Sequence, residues 1–429
     1  MKNSFFTTSR SRRLGVIAIA TTAALALAGC SGGGDADGPT TLKFSYLWSG
    51  PEAEVLETII DDFNDSQDEI VVKGVSSPDQ QKQLTSMSSS NGSFDISDNF
   101  GENVGSWAAK GVLAPLDEYI ESENIDIDDF APAALEQMTH DGQTYALPIA
   151  VHSFQLLYNK TLLDEAGVEP PTTMDELADA VEKLTVTDDS GKISQIGIGD
   201  ANTTTTLTTL GFAFGGSWSD ENGPTPTDAG NIEAVDWWQK NVVDLVGADN
   251  LADFKAGEGQ YLSAEDSFFS GKAAMIIDGE WRAASASEVA PDLDWGVTSI
   301  PAATPELENS TQVTSSTLFI PTNSKHKDEA AQFLAYLLSP EVMEKFSLTL
   351  GNLPARTSLL DSDAYGDLPN FEVWGDALTS PNAQSLSSAP YGAEYQTDLG
   401  NAFDDVVRGK SNAEKALDYV KSRSKSYTS

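Results

Sequence analysis

Residues 145–160, YALPIAVHSFQLLYNK, decide how the rest of this 429-residue chain is read. Pro148 has no backbone donor and fixes its own φ, so the chain cannot enter a helix from Leu147, and the apolar residues on either side keep it extended and buried. Upstream, His140-Asp141-Gly142-Gln143 is a polar turn. Downstream, the apolar run 154–158 has strand length and ends at Asn159-Lys160, where a helix begins. The stretch reads as a crossing between two bodies.

The flanks support two bodies. The chain is too long for one ordinary core, and 40% apolar residues are ample for two. On the N-terminal side, Leu42, Phe44 and Tyr46 alternate as in a half-buried strand, and Val55, Leu56, Ile59, Ile60 and Phe63 recur at helical spacing. Residues 70–75 predict a second strand, 80–90 a second helix, 94–96 a third strand and 103–110 a short helix with Gly111 at its end. Strand and helix in alternation imply a mainly parallel sheet, with its ligand crevice beyond the carboxyl ends of the strands.

Charge narrows the partners. Asp and Glu number 66 against 25 Lys and Arg, a formal net charge of −41. Such a field repels nucleic acid and other polyanions. The 9% aromatic content and the amphipathic runs argue against disorder.

Residues 1–29 read as an export signal: Lys2, Arg10, Arg12 and Arg13 form a basic start, residues 14–28 an apolar stretch short for a bilayer, and small residues close it. Leu27-Ala28-Gly29-Cys30 resembles the lipobox of bacterial lipoproteins, which implies that Cys30 is lipidated and becomes the mature N-terminus. Cys30 is the only cysteine, so no intramolecular disulfide is possible. Without residues 1–29 the formal charge is −45. Residues 30–40 then form a flexible tether, and two acyl chains would suffice for durable anchoring.

The crossing, from Asp141-Gly142 through Leu147-Pro148 to Leu157-Tyr158-Asn159-Lys160, resembles the inter-lobe crossing of the extracellular solute-binding proteins of ABC sugar importers. Further similarities extend from about residue 42 to the C-terminus. They are Pro170-Pro171-Thr172-Thr173 before a helix with Thr173 and Glu176 spaced as a capping box, and Asn202-Thr203-Thr204-Thr205 leading to Gly215-Gly216. FFSGKAAMIIDGEW at 268–281 and Gly351-Asn352-Leu353-Pro354-Ala355-Arg356 complete them. The resemblance implies an α/β, two-lobed periplasmic-binding-protein-like fold, each lobe a mainly parallel sheet flanked by helices, with a hinge between. It places 40–150 and 299–338 in lobe 1 and 151–298 and 339–429 in lobe 2. Residues 295–301, WGVTSIP, resemble a second crossing, and the helix from Pro340 reads as the last.

Candidate ligand contacts follow at the strand ends. Trp48, Ser49 and Glu52 follow the first strand, and Asn99 and Glu102 lie in SDNFGE after the third. Trp48 otherwise packs between lobes, and Glu52 otherwise serves the helix dipole. His152 stands where the resembling family places a carboxylate, and a neutral imidazole both donates and accepts; it reads equally as a satisfied structural residue. Thr204 belongs to a hydroxyl cluster that also suffices as a plain helix cap. In 268–281 a helix is expected to stop at Gly271, and Gly279 to make a tight bend that delivers Trp281. An indole beside acids and amides is what a pyranose requires, with its C–H-rich face and ring of hydroxyls; core filling is the alternative. Arg356 faces either the cleft or surface acids, and Tyr395 is a stacking candidate from rough alignment.

No GxSxG, HExxH or catalytic cysteine appears, and the three histidines lack metal-ligand spacing, so neither metal nor cofactor is expected. A secreted glycoside hydrolase with paired carboxylates remains the rival, as does a same-fold receptor for a non-sugar solute. The reading favoured by the resemblance is a non-enzymatic, monomeric binding lipoprotein on the outer face of the cytoplasmic membrane. It takes a mono- or oligosaccharide and hands it to the transmembrane subunits of an ABC permease, with no nucleic acid involved.

Overall fold

A computed structural model describes residues 38–427 except 367 and 369. The export segment, Cys30 and the tether as far as residue 37 lie outside the described residues. Strands β1 (Thr40–Tyr46), β2 (Ile70–Ser76) and β3 (Ile96–Phe100) are parallel, in the order β2-β1-β3. Between them run the helices Pro51–Ser66 and Gln80–Met87. Phe44 and Phe63 meet Phe333 edge-on at 5.7 and 4.9 Å, which closes the core of this half. β3 starts later than its apolar residues predict. Its polar Asp98 and Asn99 are buried because a backbone N–H and a glutamine from outside the strand satisfy them.

The crossing is a 13-residue strand, β4 (Leu147–Asn159), buried throughout except at Tyr158. Strands β5 (Ile193–Asp200), β6 (Ala273–Gly279), β7 (Trp295–Thr298) and β8 (Thr311–Phe319) follow. The main sheet runs β2-β1-β3-β8-β4-β6-β5 and then Val186–Thr187. β5 and β6 are parallel to each other, whereas β8 is antiparallel to β3 and β4, and β4 is antiparallel to β6. β4 pairs with β8 over its first half and with β6 and β7 over its second.

The second long strand against β4 is β8 and not the stretch 295–301. β7 pairs only with Leu156 to Asn159, and Pro301 and Pro305 prevent the extended run from continuing. At the change of neighbours, the Thr311 hydroxyl lies 2.9 Å from both the N–H and the C=O of Phe154. Ser153 donates to the Trp374 carbonyl at 3.0 Å, and the Gln155 amide oxygen accepts from the Ile300 N–H at 3.2 Å.

Local signals explain the helices beyond the crossing. The Asn159 side chain accepts from the Leu162 N–H and opens Lys160–Ala166. Thr173 and Glu176 form the capping box of Met174–Leu184, whose Leu177, Val181 and Leu184 are buried. Residues before Gly271 form turns rather than a helix, since Ala248–Ala256 ends well upstream. Nor is Pro340–Leu350 the last helix, because Phe371–Leu378, Gly392–Val407 and Ala413–Ser424 follow. Between the first two of these, the chain returns to the N-terminal half. Gln137 donates to the Leu386 carbonyl at 2.9 Å, and a Cβ on Gly105 would stand 1.7 Å from the Ser388 oxygen, so only glycine admits this docking.

Candidate cleft between the strand ends

The loop after β1 is fixed from beneath. Asp98 accepts from the Leu47 N–H at 2.7 Å, and Gln83 donates to Ser97 and to the Asp98 carbonyl, both at 2.7 Å. Asp98 is 3% exposed, and burial pushes its carboxyl up to about 8, against the Leu47 hydrogen bond and with help from the nearby Glu52 charge. An ordinary aspartate titrates near 3.8. Between these values the native protein holds a proton that the unfolded chain has released, so stability falls as pH rises through that window. Asp98→Asn, which keeps the acceptor, is expected to flatten the slope. Urea midpoints at mildly acidic and mildly alkaline pH check this, with the variant gaining on the wild type at the higher pH.

Glu52 lies in the first turn of the helix Pro51–Ser66, and His152 on β4 is close enough to act on its carboxyl. Glu52 is solvent-accessible, yet partial desolvation raises its pKa, opposed by the His152 ring close by. His152 is buried, with Nδ1 2.6 Å from Glu280 Oε1 and Nε2 3.2 Å from Ser316 Oγ. Nδ1–H donates to the carboxylate oxygen, and Nε2 shares a hydrogen bond with the serine hydroxyl. Both nitrogens are therefore spent inside the protein. The second Glu280 oxygen is buried and has no hydrogen-bond partner among the described residues.

Trp281 is half-buried and rests edge-on against His152 and Phe154 at 5.3 and 5.7 Å. Its Nε1–H donates to the Tyr261 hydroxyl at 2.7 Å, and that hydroxyl reaches Asp278 at 3.1 Å. Gly279 serves as space and not as a bend: a Cβ there would come within 2.0 Å of the indole. Arg282, 1% exposed, closes the base, 2.6 Å from Asp278 and 2.8 Å from Asp266, with its guanidinium over the rings of Tyr261 and Phe269. The outcome is an indole held in one plane beside a carboxylate.

Other residues singled out from the sequence are used differently. Trp48 is half-buried and meets Phe346 edge-on at 5.2 Å, while Ser49 is exposed. Burial raises the Glu102 pKa, and the Gln396 amide beside it opposes this. Thr204 is half-buried, and its hydroxyl would stand 2.9 Å from a Cβ on Gly400, so it lies against the helix Gly392–Val407. Asn99, Arg356 and Tyr395 face inward. Asn99 donates to Gln83 and accepts from Phe100 N–H and Asn103. Arg356 bonds the Leu338 carbonyl and Asp129 and covers Phe130, and the Tyr395 hydroxyl donates to the Trp218 carbonyl. Sequence reasoning misses Tyr261 and Ser316, because nothing local in sequence ties them to Trp281 or His152, and misses Glu280, which adjoins Trp281 but whose partner His152 lies 128 residues away. A cavity of about 1100 Å³, lined by Glu136, His140, Trp218 and Ser388 among others, includes none of the cleft residues.

Two α/β halves joined through the paired strands β4 and β8 define a two-lobed fold. Residues 48–344 match the bacterial extracellular solute-binding protein family, and the chain belongs to it. It is 24% identical over 320 residues to the maltotriose-binding protein of Pyrococcus abyssi, covering 72% of this chain and 65% of that one. It is likewise 24% identical over 424 residues to the arabinooligosaccharide-binding protein of Halalkalibacterium halodurans, covering 90% and 89%. Among solved structures, CpMnBP1 with mannotriose bound is similar at a TM-score of 0.78 and 26% identity, covering 90% of this chain and all of that one.

Proposed function

We propose that this protein captures an oligosaccharide outside the cell and delivers it to the membrane subunits of an ABC importer, without chemically altering it. The observation that carries this reading is Trp281, its half-buried indole locked by Tyr261 and packed edge-on against His152, the ring that also acts on the accessible Glu52 carboxylate. An aromatic face supplies contact with sugar C–H groups and the carboxylate supplies an acceptor for hydroxyls. Relatives named for maltotriose and arabinooligosaccharide, and a neighbour holding mannotriose, support the ligand class.

Residues 40–150 with 299–338 and 151–298 with 339–429 act as the two moving bodies, turning about β4 and β8. A ligand that touches both stabilises the closed form by its differential affinity. Calorimetry with manno-, malto-, galacto- and arabino-oligosaccharides tests the reading. Saturable heat with at least one series is expected. No heat with any of them, together with turnover of a chromogenic glycoside, overturns it in favour of a hydrolase; heat only with an amino acid, peptide or polyamine reassigns the ligand.

The anchor belongs to the same proposal. Lipidation of Cys30 holds the protein on the outer face of the membrane, where the permease is. Cys30→Ser is expected to move the protein from the membrane fraction to the medium or leave it unprocessed. Unchanged membrane retention in fractionation overturns the anchor.

A further inference from the structure

Lys43 on β1 and Lys73 on β2 are register partners in a parallel pair, and both are exposed while Leu42 and Val72 beside them are buried. Two ammonium groups side by side on neighbouring strands repel, so the arrangement costs stability unless something anionic lies over it. Lys325 joins them: with Lys43, His326 and the loop 91–95 it lines a cavity of about 220 Å³. The one carboxylate of that lining, Asp95, is spent on the protein, accepting from the Lys43 N–H at 3.1 Å and from Ser324 at 2.8 Å. Among the described residues none of the three lysines forms an ion pair, whereas Lys82, Lys160, Lys255 and Lys345 each hold an aspartate. Acids outnumber bases 66 to 25, so lysines left unpaired in one place need a cause. Lys73 on the edge strand keeps that edge from pairing; Lys43, one strand in, has no such use.

The covalent path points to the partner. Cys30 precedes Thr40 by ten residues, at most about 35 Å of chain, and Lys43 follows Thr40 on the same strand. We infer that this lysine face rests on the anionic phosphates of the membrane leaflet in which Cys30 is anchored. The inference rests on the lipid anchor proposed above. The chain as a whole is strongly acidic and is repelled by the same leaflet, so attraction at one face and repulsion elsewhere together turn that face down. Screening confines the attraction to contact distance, roughly 8–10 Å, so the lysines orient the body without fixing it.

The test places the lipidated protein on vesicles of phosphatidylcholine alone and of phosphatidylcholine with phosphatidylglycerol. Peptide mass spectrometry then reads how fast an amine-reactive reagent modifies each lysine. Lys43, Lys73 and Lys325 are expected to react about threefold or more slowly on the phosphatidylglycerol vesicles and to recover at about 0.5 M salt. Lys183 and Lys415, exposed on helices beyond the crossing, should react alike on both. Lys43→Gln together with Lys73→Gln should abolish the protection of Lys325 with the melting temperature unchanged. Equal rates on the two vesicle types, for a protein that floats with both, overturn this inference and leave the anchor standing. A protein that floats with neither overturns both. Protection of the same lysines by inorganic phosphate, in the Cys30→Ser protein without vesicles, would assign the face to a free anion and also overturn the inference.

Discussion

Trp281→Ala is expected to weaken oligosaccharide binding tenfold or more, since buried aromatic anchors dominate such sites. The melting temperature should change little. The ring is only half-buried, and its loss strands no buried polar group, because the Tyr261 hydroxyl keeps Asp278 as a partner. Isothermal titration against thermal melting separates the outcomes. A large drop in melting temperature with affinity intact would assign Trp281 to core filling.

Arg282→Ala should act the other way, through stability first. Its guanidinium is sealed beneath the platform between two buried aspartates and two rings. Removing it leaves Asp266 and Asp278 buried without their counter-charge, a loss of about 3–5 kcal/mol by comparison with other broken buried pairs. Denaturant midpoints measure it. Arg282→Lys should recover only part, because an ammonium cannot bridge both carboxylates and also lie flat on Tyr261 and Phe269. A midpoint within experimental error of the wild type for Arg282→Ala would show that the aspartates are satisfied without it.

The elements legible in the sequence were those whose causes are local. Pro148 with its apolar flanks, Asn159 before Lys160, and Thr173 with Glu176 each settle a boundary within a few residues, and the structure has each of them in that role. Residue types at the strand ends also singled out His152 and Trp281, whose rings pack edge-on, and Glu52, on which His152 acts. Long-range partners were not legible. Asn99 looks like a presented amide until Gln83 is seen to claim it, and Tyr395 looks like a stacking ring until its hydroxyl is found on Trp218, 177 residues away. Arg356 is settled likewise by Asp129, 227 residues away. In each case a side chain of the right chemistry is spent on folding, a decision made by the tertiary structure and not by spacing. Phe100 is the converse: its own apolarity predicts burial, and the inward demand of Asn99 exposes it.

Thr311 has a consequence for how the two halves are joined. Where β4 leaves one neighbour for the next, the Phe154 N–H and C=O both meet a side-chain hydroxyl, which accepts from the one and donates to the other. One buried side chain thus serves both backbone polar groups of Phe154 at the place where the long strand exchanges partners.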